Sequence, residues 1–358
     1  MTSAPASFPL DFGAGLQAEL IPITAGDGMP LNLIRVRGAA APLRRPVLLV
    51  HGAGVRANIF NPPLPTTFVR HLVERGHDVW LENWRASIDL PRNHWTLDQA
   101  AIHDHPVAVR EVCARSGADS CSAVIHCQGS TSFTMSALAG LLPQVDLIVS
   151  NAVSLHTVIP DAAWTKMRFL LPLVAKVTGY LDPRWGEAPT GLVPRMLRAL
   201  VNFQHRECDN GVCRFSSFTY GAGHPTLWPH DNLTDEVHDW IRHEFAAVPM
   251  SFFLQMRRCV QRGNLVATGE FAQIPADLAA QAPRTDARFV LLTGEINDCF
   301  APESQVRSHA WLEAHHPGRH RLHLIPGYGH LDVFFGTHAV RDTYPIMTKA
   351  LEQEDNNG

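Results

Sequence analysis
At one point in the chain, an apolar run becomes a helix-like run across a single polar position. Ser122-Ala-Val-Ile-His-Cys-Gln-Gly-Ser-Thr131 passes without a break into Ser132-Phe-Thr-Met-Ser-Ala-Leu-Ala-Gly140. The first part has the length and β-branched character of a buried strand, and the second has the composition of a helix. No loop separates them, so the chain has to turn tightly at Cys127-Gln128-Gly129. A strand, tight turn and helix in this order lift the side chain at the apex clear of the sheet and aim the next backbone N–H at the same point. Cys127 is therefore a candidate nucleophile and the Gln128 N–H a candidate oxyanion donor. Two other readings compete: a buried strand cysteine, since free Cys is among the most buried residue types, and Ser130 as the nucleophile, although it falls inside the first helical turn. Ile125 also stands two residues before the thiol, where turns of this kind usually carry a small residue.

The flanking segments supply what such a thiol needs, in a consistent order. Pro46-Val-Leu-Leu-Val-His-Gly-Ala-Gly54 reads as a buried parallel strand ending in a glycine-rich loop. Glycines let the backbone approach a substrate, so the Ala53 N–H is the second candidate oxyanion donor. Ala287-Arg-Phe-Val-Leu-Leu-Thr-Gly294 is another buried strand, followed by Glu295-Ile-Asn-Asp-Cys-Phe-Ala-Pro302, which offers an acid. His320 to Pro326 leads into Gly327-Tyr-Gly-His330, which offers a base. Among 20 histidines, His330 is singled out by its Gly-Tyr-Gly lead-in after a strand, while His51 and His126 are expected to shape the pocket. Either Asp298 or Asn297 could orient the imidazole. The ionisable Asp298 is favoured, with Asn297 the alternative, because a cysteine nucleophile tolerates a Cys-His-Asn arrangement. Asp332 is read as a loop or helix-start residue.

Nucleophile, acid, histidine is the order of the α/β-hydrolase fold, and residues from about Pro30 to Leu351 resemble it. The His126-Cys-Gln-Gly-Ser-Thr131 turn, Asn297-Asp-Cys-Phe-Ala-Pro-Glu-Ser304 and Pro326-Gly-Tyr-Gly-His-Leu-Asp332 together resemble a narrower group. That group is the hydrolase-like module found beside or fused to cholesterol-oxidase-type flavin oxidoreductases. The cysteine also resembles that of polyhydroxyalkanoate synthases, dienelactone hydrolases and the acyl- or aminoacyl-shuttling transferases of carrier-protein pathways. The resemblance implies a mainly parallel, doubly wound sheet and acyl chemistry.

Pattern and composition agree. Leu16 to Val36 reads as a hairpin turning at Gly26-Asp-Gly28, Asp78 to Trp84 and Val145 to Ser150 as strands, and Leu97 to Arg115 as a helix that Pro106 should delay or kink. A closing helix is expected from His338 to Glu354. Between Ser154 and Arg284 the alternation of strand and helix stops. The expected organisation is thus a core over 1–154, a mostly helical lid over 155–285 and a second core part over 286–358. Met167 to Val177 is too short and too interrupted by charge to span a bilayer, and is read as a core helix of the lid. Cys208 and Cys213 are spaced more widely than the usual zinc pair, and His205 or other lid histidines would have to complete a site, so a local loop is preferred and no metal or cofactor is expected.

A net charge of −4 and no basic run exclude the cationic footprint of a nucleic-acid binder. The seven cysteines are odd in number and irregularly placed, and Met1 to Phe8 lacks the pattern of a secretory leader, so a reducing cytoplasm is expected. The chemistry expected is acyl transfer through a Cys127 thioester, from a small-molecule donor that coenzyme A or a carrier protein could present. Thioesterase or esterase activity is the alternative, and a non-catalytic ligand-binding protein the lesser one. Transfer is preferred because a cysteinyl thioester lies close in energy to a thioester donor.

Overall fold
The computed structural model describes residues 10–355, so Met1 to Phe8, read above for a leader, lies outside the described residues. Ten strands are labelled in chain order: β1 Gln17–Thr24, β2 Pro30–Arg37, β3 Pro46–Val50, β4 Asp78–Asn83, β5 Cys121–His126, β6 Val145–Asn151, β7 Tyr180–Leu181, β8 Val248–Pro249, β9 Arg288–Gly294 and β10 Arg321–Ile325. Eight of them form one sheet in the order β1-β2-β4-β3-β5-β6-β9-β10, and β7 pairs with β8. β1 and β2 are the expected hairpin, closed by Gly28, whose φ of +88° suits glycine. β2 runs antiparallel to β4, and in the large sheet the pairings β4-β3, β3-β5, β5-β6, β6-β9 and β9-β10 are all parallel, whereas β7 and β8 pair antiparallel. Every residue of β3, β4 and β5 is buried, as expected where helices cover both faces of a parallel sheet. This mostly parallel sheet with its covering helices bears out the α/β-hydrolase fold class.

Two helices differ from expectation for reasons the chain makes plain. The helix over 97–116 opens on a capping box between Thr96 and Gln99 and continues through Pro106 without stopping. A π-helical turn at Ala100–Asp104 absorbs the missing proline donor, and Asp104 at its end grips Arg85 through bonds of 2.6 to 3.0 Å. The closing helix is two pieces, Ala339–Asp342 and Tyr344–Asp355. Pro345 has no N–H for the preceding turn, so the helix restarts there.

The segment between β6 and β9 carries five helices of six or more residues: Asp161–Val174, Leu192–Gln204, Gly211–Tyr220, Asp235–Trp240 and Met250–Arg262. It lies over the carboxyl ends of the parallel strands and is latched there. The Tyr220 hydroxyl donates to Ala53 O at 3.1 Å, Ala246 N–H donates to Gly54 O at 2.9 Å, and Arg56 forks onto buried Glu244 at 3.0 Å. A core helix for Met167 to Val177 holds for one face only. Leu171 and Val174 are buried, whereas Phe169, Leu173 and Val177 are each more than 60% exposed. No described helix is long and apolar enough to cross a membrane.

Candidate active site
Parallel strands deliver their loops to one edge of the sheet, and the candidate residues meet there. Gly52 to Gly54 follow β3, Cys127 follows β5, Asn297 follows β9 and His330 follows β10. Cys127 has a φ of +54°, which costs a non-glycine residue about 1–3 kcal/mol and persists only where the surroundings enforce it. The enforcement is visible at Gly129, where a Cβ would come within 2.0 Å of His51 O, so the start of the elbow helix Cys127–Leu138 lies directly on the end of β3. Ile125 is fully buried in β5. Ser130 is buried too, its hydroxyl paired with Ser150 at 2.5 Å, so it faces away from the turn's apex.

His126, Cys127 and His330 bring one reactive atom each within 4.8 Å of one another. His330 is held at its main chain, donating its N–H to Leu227 O at 2.8 Å and accepting from Asn151 Nδ2 at 3.1 Å. Its Nδ1 lies 3.2 Å from Asn297 Oδ1. That oxygen also accepts the N–H groups of Cys299 and Phe300, while Asn297 Nδ2 donates to Thr293 Oγ1 at 2.9 Å. The amide orientation is therefore set by its neighbours, Nδ1 of His330 carries the proton, and Nε2 is left to face Cys127.

This corrects the preference for Asp298. Within the Asn297-Asp298 pair only the asparagine turns inward, buried beneath the loop that it ties together. The Asp298 side chain is half-buried, burial raises its pKa, and among the described residues the side-chain partner of His330 Nδ1 is Asn297, not Asp298. Asp332 does start a helix, Asp332–Phe335, and both its carboxylate oxygens accept Gly329 N–H at 3.0 and 3.1 Å. It braces the His330 loop, and burial lifts its pKa to about 6.

Burial opposes ionisation of the Cys127 thiol, but three influences reverse it: a hydrogen bond with Cys299, the charge and hydrogen bond of His330, and the Gln128 N–H. The net result is a pKa well below that of an ordinary thiol, as expected at a helix N-terminus beside a histidine. Sharing that interaction, together with burial, pushes the Cys299 thiol strongly the other way. Burial holds His126 well below the usual histidine range and His51 at about 3, so both stay neutral; His126 lines the cavity beside Cys127, whereas His51 does not.

Gly52, Ala53, Cys127, His330, Tyr220 and Trp228 line a cavity of about 20 Å³. Such a space holds little more than one water. Tyr220 separates it from a second small cavity lined by Gln128, Lys166, Phe253 and Cys299. Burial lowers the Lys166 amine to about 7, and its nitrogen donates to the carbonyls of Phe218 and Gly221. Cys299 and Lys166 escaped sequence reasoning. Cys299 could have been noticed two positions from the asparagine, whereas nothing local marks Lys166.

No protein-family model and no curated protein sequence matches the chain. Solved structures match its fold. DcsB, determined with a substrate analogue, aligns over 96% of this chain and 100% of its own at 14% identity and a TM-score of 0.58. A thermophilic esterase from Thermogutta terrifontis, with malate bound, aligns over 95% and 99% at 16% identity and 0.52, and a lipase in its open form over 95% and 100% at 14% and 0.56. Likeness at these identities concerns the fold, and the fold is that of the α/β-hydrolases.

Proposed function
We propose that the protein is a cysteine-dependent ester or thioester hydrolase that works through an acyl-enzyme on Cys127. The observation that carries this reading is the alignment of Cys127, His330 and Asn297, with Nε2 of His330 free to receive the thiol proton. In the first step the sulfur attacks the acyl carbonyl as His330 holds the proton. The tetrahedral oxygen is held by the N–H groups of Gln128 and Ala53, each such donor being worth on the order of 3 kcal/mol. The carbonyl then re-forms, the bond to the leaving alcohol or thiol breaks, and His330 returns the proton to that group. In the second step His330 takes a proton from water, hydroxide adds to the thioester, and the acid departs as the Cys127 thiol is restored.

Water is taken as the acceptor because the solved structures of like fold include an esterase and a lipase. Acyl transfer is the second reading. It is favoured by the latched lid and the one-water cavity, which keep bulk solvent from the intermediate. The motif resemblance to cysteine-using acyl shuttles fits either outcome, and the donor is a small acyl ester or a thioester on coenzyme A or a carrier. Supplying an acyl thioester with and without alcohols, amines or thiols distinguishes the two. Free acid formed at the same rate whatever acceptor is present supports hydrolysis; an acyl-enzyme that persists until an acceptor discharges it supports transfer.

A further inference from the structure
Away from Cys127, four side chains of the lid converge: Cys208, Cys213, His230 and His238, with one ligand atom of each within 4.8 Å of every other. The cysteine pair, assigned from its spacing to a local loop, is completed by two histidines from beyond Trp228. His205, weighed as a contributor, is not in the group. The backbone organises the four in advance. Asn210 accepts the Cys213 N–H through Oδ1 at 3.0 Å and donates through Nδ2 to His238 O at 2.5 Å, tying the turn before helix Gly211–Tyr220 to helix Asp235–Trp240. The rings of His230 and His238 lie 4.6 Å apart, and Nε2 of His238 is buried without a hydrogen-bond partner.

We propose that Cys208, Cys213, His230 and His238 bind a structural Zn²⁺ ion. Bond lengths of about 2.3 Å to sulfur and about 2.0–2.1 Å to nitrogen make the sulfur-to-nitrogen edge of a tetrahedron roughly 3.6 Å. Cys213 Sγ and His230 Nε2 stand 3.5 Å apart. Two thiolates and two neutral imidazoles balance the ion's charge, which suits a partly buried place. Four protein ligands leave no open position, so the site holds structure and does no chemistry.

The segment it would clamp matters to the active site. Between the cysteines and the histidines runs Leu227-Trp228, which lines the Cys127 cavity, and Leu227 O accepts the His330 N–H. Asn232, just past His230, donates to Gly327 O at 2.9 Å and to Asp332 at 2.7 Å. The ion therefore steadies the loop that carries His330 from its outer side.

The full chain, stripped with a chelator and then offered Zn²⁺ alone, should retain one zinc per chain by elemental analysis after gel filtration. Cys127→Ala should retain it equally, and Cys208→Ser and His238→Ala should lose it. Since those two variants could fail to fold, Co²⁺ added to the unsubstituted protein provides a second test. It should give the intense visible bands of a tetrahedral ion and a thiolate-to-cobalt charge-transfer band. No retained zinc, zinc retained equally by folded Cys208→Ser, a cobalt spectrum without thiolate charge transfer, or an intact mass showing a Cys208–Cys213 disulfide would each overturn the assignment.

Discussion
Asn297 Oδ1 is shared among the imidazole of His330 and two backbone N–H groups, so the residue holds the ring proposed as the base and closes its own loop together. Asn297→Ala is expected to lower turnover on the order of 10²- to 10⁴-fold, while Asp298→Ala changes it by less than about threefold. Steady-state kinetics that reversed this ranking would return the role to the aspartate. The depressed thiol pKa makes a second prediction with a definite sign. A thiol whose pKa is lowered ionises at lower pH than an ordinary one, so the rise of Cys127 alkylation by iodoacetamide with pH should come earlier and level off sooner than that of an ordinary cysteine. An ordinary cysteine, with a pKa near 8.5, goes on reacting faster until the pH passes that value. Cys299→Ala removes one of the influences that lower the thiol pKa and should move the Cys127 profile to higher pH; a Cys127 profile in the unsubstituted protein that coincides with that of an ordinary cysteine would contradict the lowered pKa. At this scale the sequence was partly legible. Cys127 and His330 stand in runs whose order announces them, but the choice between Asn297 and Asp298 depends on a single turn of backbone that no periodicity records. Geometry alone is also an unsafe guide. Ser132, His105 and Glu82 form a hydrogen-bonded series of 2.8 and 3.0 Å, yet all three are fully buried and only pin the elbow helix to β4.

The strand-to-helix elbow is where local sequence and tertiary contact meet most tightly. Gly129 sits against His51 O, and β3 must end there for the Cys127 φ to be held. Gly129→Ala should therefore cost at least about 1–3 kcal/mol in urea denaturation and reduce Cys127 alkylation, because the elbow has to move off β3. Ile125→Val, which only removes a methylene group from buried β5, should cost about 0.5–1.5 kcal/mol and leave alkylation unchanged. Equal effects from both substitutions would show that the glycine contact does not position the thiol. Most strands could be read from the sequence because a parallel, doubly covered sheet demands continuous apolar runs. The helices misread are those with proline, and the two outcomes differ for a physical reason. Before Pro106 a π turn absorbs the lost bond, whereas before Pro345 the chain breaks at Thr343.

Over the whole molecule, the segment between β6 and β9, proposed as a lid, is the part least written in the sequence. Its helices could be anticipated from the loss of strand and helix alternation, but its latches pair residues far apart in the chain. Arg56 and Glu244 are the main one, and breaking a buried pair by removing one partner costs about 3–5 kcal/mol. Glu244→Ala should raise amide hydrogen exchange across 161–262 while leaving β3 to β6 protected; exchange identical to the unsubstituted protein would mean that the pair does not hold the lid. In the proposed mechanism the segment between β6 and β9 sets how much water reaches the thioester, and that mechanism requires the thioester to form. Intact-protein mass spectrometry during turnover of an activated acyl ester tests this most directly. An acyl-enzyme on Cys127 predicts an added acyl mass, mapped to Cys127, labile to hydroxylamine and absent in Cys127→Ala. An unmodified protein together with full activity in Cys127→Ala would contradict it.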